Sequence, residues 1–264
     1  MYIKTPLLDE LFEKYDIYNL PHGRKEDKLG DLMEEYCTIL LCSGELLDKA
    51  KYGELDSQNI DEIIFGMILE KTEIIIDEIK EIDATTNIVH RATGGNAKTD
   101  VLATFYLFNG TVFEFPISVK QTTKPKVAMA EFDAETIFNE VGIDDPEVRR
   151  LITKHQVDAS ATNFSKQEKR ELSQRLKPHA QSLVRWVLTG TPVPCENPLF
   201  PKIIVKLKMS KSDEILDLNV YNIDEYIDSV MLNKKGKLRS GGFGTGLGWT
   251  YATGTKGKKI QFKG

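Results

Sequence analysis

The chain has little of what several protein classes require. No stretch approaches the roughly eighteen uninterrupted apolar residues of a membrane-spanning helix, and even Ile74-Ile75-Ile76 is bracketed by charge. The opening residues, MYIKTPLLDELFEKY, carry acids where a secretory signal needs a basic end and an apolar stretch. A cytoplasmic location with no membrane partner is therefore expected. Cysteine is scarce. Cys37, Cys42 and Cys195 make an odd number without CxxC spacing or a partnered histidine, which argues against disulfides and a zinc site. They read as small buried hydrophobes in a reducing compartment. Acids are missing altogether after Asp228, while residues 229–264 hold 8 lysines and arginines.

Those missing acids change the meaning of the net charge. A formal charge of −5 argues against a polyanion binder, but its distribution does not. Residues 1–100 carry 11 basic and 22 acidic side chains, and residues 101–228 carry 16 and 18. All of the basic excess lies at the C-terminal end, as an electrostatic footprint for a polyanion requires. Disordered basic tails have the same charge pattern. Five large apolar residues, Phe243, Trp249, Tyr251, Ile260 and Phe262, argue instead for a folded segment.

With 264 residues and 41% hydrophobic content, the chain can bury a sizeable core. Its first 87 residues read as mainly helical. Thr5-Pro6 fits an N-cap and first-turn proline, with Leu8, Leu11, Phe12 and Tyr15 on one face. Leu29 to Leu40 repeat at helical spacing after Asp27. A third helix is expected after Asp56-Ser57 and onward to Ile79, with Glu70, Glu73, Asp77, Glu78 and Glu81 as its solvated side. From residue 88 the character changes. Asp100–Phe108 and Thr111–Lys120 read as strands joined at Asn109-Gly110, a strong hairpin signal. Helices are expected at about 133–141, 145–156 and 165–189, the last opened by a capping box at Ser165-x-x-Glu168. Residues 202–209 and 215–223 read as a further strand pair, followed by a short helix to about Leu232. The class is α+β, with a central mixed sheet flanked by helices.

The hairpin carries the chemistry. Asp100 opens its first strand after Gly94-Gly95-Asn96, and Ser118 and Lys120 share one face near the end of the second. If paired residue numbers sum to about 219, Asp100 lies opposite Val119, beside Ser118 and Lys120. An acid, an oxygen ligand and a lysine thus converge at one end of the sheet. Such a trio suits phosphodiester hydrolysis, because a carboxylate can hold Mg²⁺ and a lysine can offset developing negative charge. The same spacing also occurs in ordinary surface ion pairs.

This pattern resembles the hairpin of the PD-(D/E)xK nucleases. The whole chain resembles, more closely, the type II restriction endonucleases of the MspI family. The matching stretches are Leu20-Pro21-His22, Asp27-x-Leu29-Gly30, Gly94-Gly95-x-x-Lys98-Thr99-Asp100, Ala130-Glu131-x-Asp133-x-Glu135-Thr136, Val141-Gly142-Ile143 and Lys154-His155-Gln156. The final segment, GFGTGLGWTYATGTKGKKIQFKG, is the closest of all. The resemblance implies a restriction-endonuclease fold of α/β/α type over residues 1–264, with the catalytic hairpin at 88–125 and a DNA-reading segment at 229–264. It implies a bacterial enzyme that is Mg²⁺-dependent and cuts double-stranded DNA at CCGG between the cytosines. A cognate methyltransferase would protect the same site. Asp100 becomes the metal-binding acid, Lys120 the catalytic lysine and Ser118 the middle ligand. The Val119 carbonyl and Glu34, on an N-terminal helix, complete the metal shell. Two positions depart from the superfamily pattern: Thr99 replaces a proline, and Ser118 an acid. Thr250, Ala252, Thr253, Gln261 and Lys263 would meet base edges. Lys98, Gln121, Lys124, Lys126, Lys256, Lys258 and Lys259 would meet the DNA backbone. Ala128 stands where a polar base contact is expected.

Two rival readings remain open. One is a sequence-specific DNA-binding protein whose nuclease site is impaired at Ser118. Another is a repair nuclease of the same superfamily, acting on damaged or branched DNA. GFGTGLG could also be a nucleotide-binding loop, but too few residues follow it to build the helix and strand such a loop needs. His155 reads as a histidine at a helix end rather than a general base.

Overall fold

The computed structural model describes residues 5–89, 97–210 and 214–264. In chain order its helices are α1 (Pro6–Lys14), α2 (His22–Leu41), α3 (Gly44–Tyr52), α4 (Ile60–Thr72), α5 (Ala134–Val141), α6 (Pro146–Asp158), α7 (Lys166–Leu176), α8 (Ala180–Thr189) and α9 (Ile223–Met231). Its strands are β1 (Ile79–Thr85), β2 (Val101–Leu107), β3 (Val112–Thr122), β4 (Ala128–Phe132), β5 (Ile203–Met209), β6 (Ile215–Asn222), β7 (Gly248–Thr250) and β8 (Ile260–Lys263). They fall into two compact units, Met1–Pro125 with Asn197–Asn222, and Lys126–Glu196 with Ile223–Gly264.

The first unit is built on a five-stranded sheet of order β1-β2-β3-β5-β6. Only β3 and β5 run parallel, so the sheet is mixed, as the sequence implies. β2 buries alternate residues Val101, Ala103, Phe105 and Leu107. β3, paired on both edges, is buried continuously from Phe115 to Val119. Helix α2 covers the sheet with Leu29, Leu32, Met33, Tyr36, Cys37 and Leu40, an apolar stripe at helical period. Thr5 caps α1 through Leu8 N, with Pro6 in the first turn, as expected.

Three expectations for this unit need correcting. α2 begins at His22, before Asp27, and the short helix α3 was not anticipated. The third helix does not reach Ile79. It stops at Thr72, where Glu73 takes a left-handed backbone with φ 58°. Thr72 Oγ1 donates to the Leu69 carbonyl and accepts from Ile74 N, a local alternative to another helical turn. Ile79 and Glu81 belong to β1, so of the acids assigned to one helical face only Glu70 lies in the helix. Finally, hairpin partners sum to 218, as in Val101 with Ile117. The turn closes through Leu107 N to the Thr111 carbonyl. Asp100 therefore faces Ser118 rather than Val119. The segment Gly94-Gly95-Asn96 lies outside the described residues.

The second unit holds a three-stranded antiparallel sheet, β4-β8-β7, with α5 to α9. The capping box at Ser165 and Glu168 is present. The helix expected over 165–189 is broken after Leu176, because Pro178 has no N–H to continue the ladder. The C-terminal segment is folded. Ile260 and Phe262 are fully buried, and Trp249 stands edge-on to Phe262 at 5.1 Å. GFGTGLG forms a tight turn. A side chain at Gly242 would meet the Leu247 carbonyl at 2.0 Å, and one at Gly246 would meet the Val230 carbonyl at 1.9 Å. Both glycines have positive φ. Of the cysteines, only Cys37 is buried as expected. Cys42 and Cys195 are exposed, lying at a helix end and in a loop that offer no core to enter, and all three are free thiols.

Candidate active site and reading face

In the first unit, three donors converge on one oxygen. Asp100 Oδ2 accepts from Ser118 Oγ at 2.8 Å, from Val119 N at 2.8 Å and from Lys120 Nζ at 2.7 Å. Lys120 Nζ also reaches the Val119 carbonyl at 3.1 Å. The register explains the geometry. Asp100 lies one residue before β2 and opposite Ser118, and the pleat carries Lys120 to the same side. Oδ1 of Asp100 has no such donor among the described residues. Ser118 is almost completely buried, and its hydroxyl hydrogen holds Asp100 in place. The geometry thus gives Ser118 a positioning task beside the ligand task expected of it.

Glu34 faces this cluster from α2. Burial pushes its carboxyl up to about 7, and repulsion from Asp100 adds to the shift, with Lys120 partly opposing it. Cys37, one turn on, is pushed up to about 12 by burial and then by the same two acids. The two carboxylates repel one another, with the Val119 carbonyl beside Lys120 Nζ, and one more positive charge near them would relieve that repulsion. Mg²⁺ binds through one or two carboxylates and otherwise keeps its waters. The residues present fit that demand, although the described residues contain no group of three His, Cys, Asp or Glu arranged for a metal.

The raised carboxyl, a product of burial first and of repulsion second, has a consequence for stability. Between the ordinary carboxylate value of 4.5 and about 7, the folded state holds a proton at Glu34 that the unfolded state has lost. Stability therefore falls as pH rises through that window. Without divalent cations, Glu34→Gln should raise the melting temperature by about 2–4 °C at pH 8, corresponding to roughly 1 kcal/mol after solvent screening. The gain should vanish near pH 4. Thermal melts in chelator at the two pH values provide the check, and an equal shift at both would contradict the assignment.

Other expected residues of this unit sit nearby in the chain. Gln121 Nε2 donates to the Glu26 carbonyl at 3.0 Å, while its Oε1 is buried without a partner. The Lys98 backbone N–H donates to the Leu199 carbonyl, and Lys124 is exposed just beyond β3.

In the second unit, the small sheet collects polar residues on one face. Its rows pair Glu131 with Gln261 and Gln261 with Thr250, then Ala128 with Lys263 and Lys263 with Gly248. The alternate residues Ile260 and Phe262 are buried. Ala252 and Thr253 follow β7, and Lys256, Lys258 and Lys259 are exposed in the turn before β8. Lys126 donates to the Gly246 carbonyl at 2.7 Å, which ties it to the glycine turn. The segment is anchored by His155. Tyr251 Oη donates to the His155 carbonyl at 2.6 Å and lies 2.7 Å from Nδ1. Because the phenol has one hydrogen, Nδ1–H must be the donor in the second contact. Burial pushes this imidazole down to about 4, so it is neutral at pH 7. Phe243 and Trp249 stand edge-on to the imidazole, and Tyr251 stacks on it.

A family model described as restriction endonuclease MspI matches residues 11–264. The type II restriction enzyme MspI of Moraxella sp. is 35% identical over 99% of this chain and its own full length. This chain belongs to the MspI family of restriction endonucleases. The type II restriction enzyme BsuFI of Bacillus subtilis is 27% identical, over 93% of this chain and 61% of its own length. A crystal structure of MspI in complex with its cognate DNA matches with a TM-score of 0.88 and 34% identity, covering 99% of this chain and all of that one. The fold is therefore the restriction-endonuclease fold, and the chain is a type II site-specific deoxyribonuclease. No described helix is long and apolar enough to cross a membrane.

Sequence reasoning missed one polar residue on this face of the small sheet, Glu131. It lies in a matching stretch, but strand β4 was not anticipated, so nothing placed it beside Gln261.

Proposed function

We propose that this chain hydrolyses double-stranded DNA at CCGG, between the two cytosines of each strand, with Mg²⁺. One observation carries the chemistry: Asp100, Ser118 and Lys120 meet at one carboxylate oxygen, with Glu34 facing them. Bound there, Mg²⁺ would supply an activated water and neutralise charge on the phosphoryl group. Asp100 and Glu34 would hold the cation, assisted by the Val119 carbonyl, and Ser118 fixes Asp100. Lys120 orients the attacking water and stabilises the charge that develops on the phosphate oxygens.

Specificity is assigned to the polar face of the small sheet. Lys263 suits guanine O6 and N7, and Gln261 offers one donor and one acceptor to a base edge. Thr250, Ala252 and Thr253 add hydroxyl and apolar contacts. Lys256, Lys258 and Lys259, exposed in a turn, suit phosphates, as do Lys98, Lys124 and Lys126, with Gln121 beside the catalytic lysine. Ala128 contributes no polar group. Residues 1–264 act as one endonuclease domain in the bacterial cytoplasm, a reading supported by one family model across residues 11–264. A methyltransferase of the same specificity would protect the host DNA.

Digestion of a sequenced plasmid with Mg²⁺, followed by mapping of the ends, tests the proposal. The expected product has every end at C^CGG. Binding to CCGG without cleavage would favour the impaired nuclease, and cleavage at branched or damaged DNA alone would favour a repair enzyme.

A further inference from the structure

The polar face of the small sheet contains a lock that fixes which way the Gln261 amide points. Gln261 Nε2 donates to Glu131 Oε1 at 2.6 Å, and Thr250 Oγ1 lies 3.3 Å from Gln261 Oε1. The second carboxylate oxygen of Glu131 accepts from Thr255 Oγ1 at 3.0 Å. A carboxylate can only accept, so the amide can present only its NH₂ end to Glu131. The Thr250 hydroxyl, placed across the row, lies 3.2 Å from the Gln261 main-chain carbonyl and 3.3 Å from its amide carbonyl, so its one hydrogen is shared between the two. The Glu131 contact uses one amide hydrogen, leaving one N–H and at least one lone pair of the amide for another partner. Those remaining groups have the polarity that reads a base edge.

We infer that Glu131 is a positioning residue for specificity, acting through Gln261. The inference rests on the reading that Gln261 meets a base. An amide side chain is nearly symmetric in shape, so rotation by a half-turn exchanges donor and acceptor without a steric penalty. A carboxylate neighbour forbids that exchange. An amide neighbour does not, because it can itself turn and offer either end. Glu131 is only partly buried, and a carboxylate near DNA repels phosphate. Its presence on this face is thus adverse for non-specific binding and favourable for orientation.

The test uses the full chain with Ca²⁺ and short duplexes. One duplex carries the cleavage site mapped by digestion, and the others carry single base-pair changes. Glu131→Gln should reduce discrimination between them by about tenfold, the effect of one misdirected bidentate contact. Affinity for unrelated DNA should stay level or rise, because a negative charge is gone. A merely structural role would lower both affinities together. In the Gln261→Ala background, Glu131→Gln should change discrimination no further. Multiplying effects in the double variant would overturn the inference, because Glu131 would then act on its own. Wild-type discrimination by Glu131→Gln would overturn it too. Wild-type discrimination by Gln261→Ala alone would show instead that the base-reading assignment fails, and the positioning role with it. Should Glu131→Gln melt well below wild type, the swapped pair Glu131→Gln with Gln261→Glu keeps a hydrogen bond across the row. Recovered stability without recovered discrimination supports the inference, and recovery of both overturns it.

Discussion

Lys120→Ala should lower single-turnover cleavage of the cognate duplex by about a hundredfold to a thousandfold while specific binding persists. The ammonium lies 2.7 Å from Asp100 Oδ2 and 3.1 Å from the Val119 carbonyl, with only 19% of its side chain exposed. In the resting protein it is held by protein oxygens. Its value to the reaction lies in the negative charge that grows on the phosphate during attack, so its loss falls on the rate rather than on affinity. A second effect follows from its place between two acids. Lys120 is the charge that lowers the Glu34 carboxyl, so removing it should push that carboxyl above its present value of about 7. Residual cleavage by the variant should therefore demand higher pH than wild-type cleavage does. A rate within a few fold of wild type, or an unshifted pH profile, would remove Lys120 from its assigned place.

The site was legible because its chemistry is local to a hairpin. Asn109-Gly110 marks the turn, and period two then places Asp100, Ser118 and Lys120 on one side without knowledge of the rest of the fold. The one-residue error in register did not move them apart, because Asp100 opposite Ser118 still lies diagonal to Lys120. Glu34 was harder to place. Its neighbours Met33 and Cys37 show the apolar stripe of α2, but which strand that stripe covers is a tertiary fact. It was reached only through resemblance, and the structure adds the electrostatic coupling to Asp100.

The elements that escaped were those whose pattern is ambiguous. IKEIDAT in β1 has too few apolar residues to announce a strand, and it follows an isoleucine run that reads as helix. AMAEF in β4 is five residues long and pairs with β8 from the far end of the chain. Short strands of this kind gain their stability from partners more than one hundred residues away, so local propensity says little about them. Glu131 was lost with β4. Conversely, the folding of residues 229–264 was legible from composition. Phe262 and Ile260 alternate with Gln261 and Lys263, so the buried face and the polar face follow from a four-residue strand.

Asp100→Asn should abolish Mg²⁺-dependent turnover and weaken Ca²⁺ binding by at least about tenfold, yet leave the metal-free protein as stable as wild type or more so. The asparagine Oδ1 can still accept from Ser118 Oγ and Val119 N, so the hairpin end keeps its hydrogen bonds. What disappears is the charge. An amide oxygen holds a hard divalent cation far less well than a carboxylate does. With Asp100 neutral, the repulsion that helps raise the Glu34 carboxyl is removed, and that carboxyl should ionise at lower pH. Lys120 would then act on Glu34, whose ionisation its charge still favours. The variant separates two properties that a damaged fold would lose together. Isothermal titration with Ca²⁺ should show the lost affinity, and thermal melts in chelator should show the retained or increased stability. Unchanged Ca²⁺ affinity would remove Asp100 from the metal shell. A large drop in melting temperature would mean that the carboxylate is held by Lys120 as a structural ion pair, and that the acid pair facing it is not the strained, cation-seeking arrangement described above.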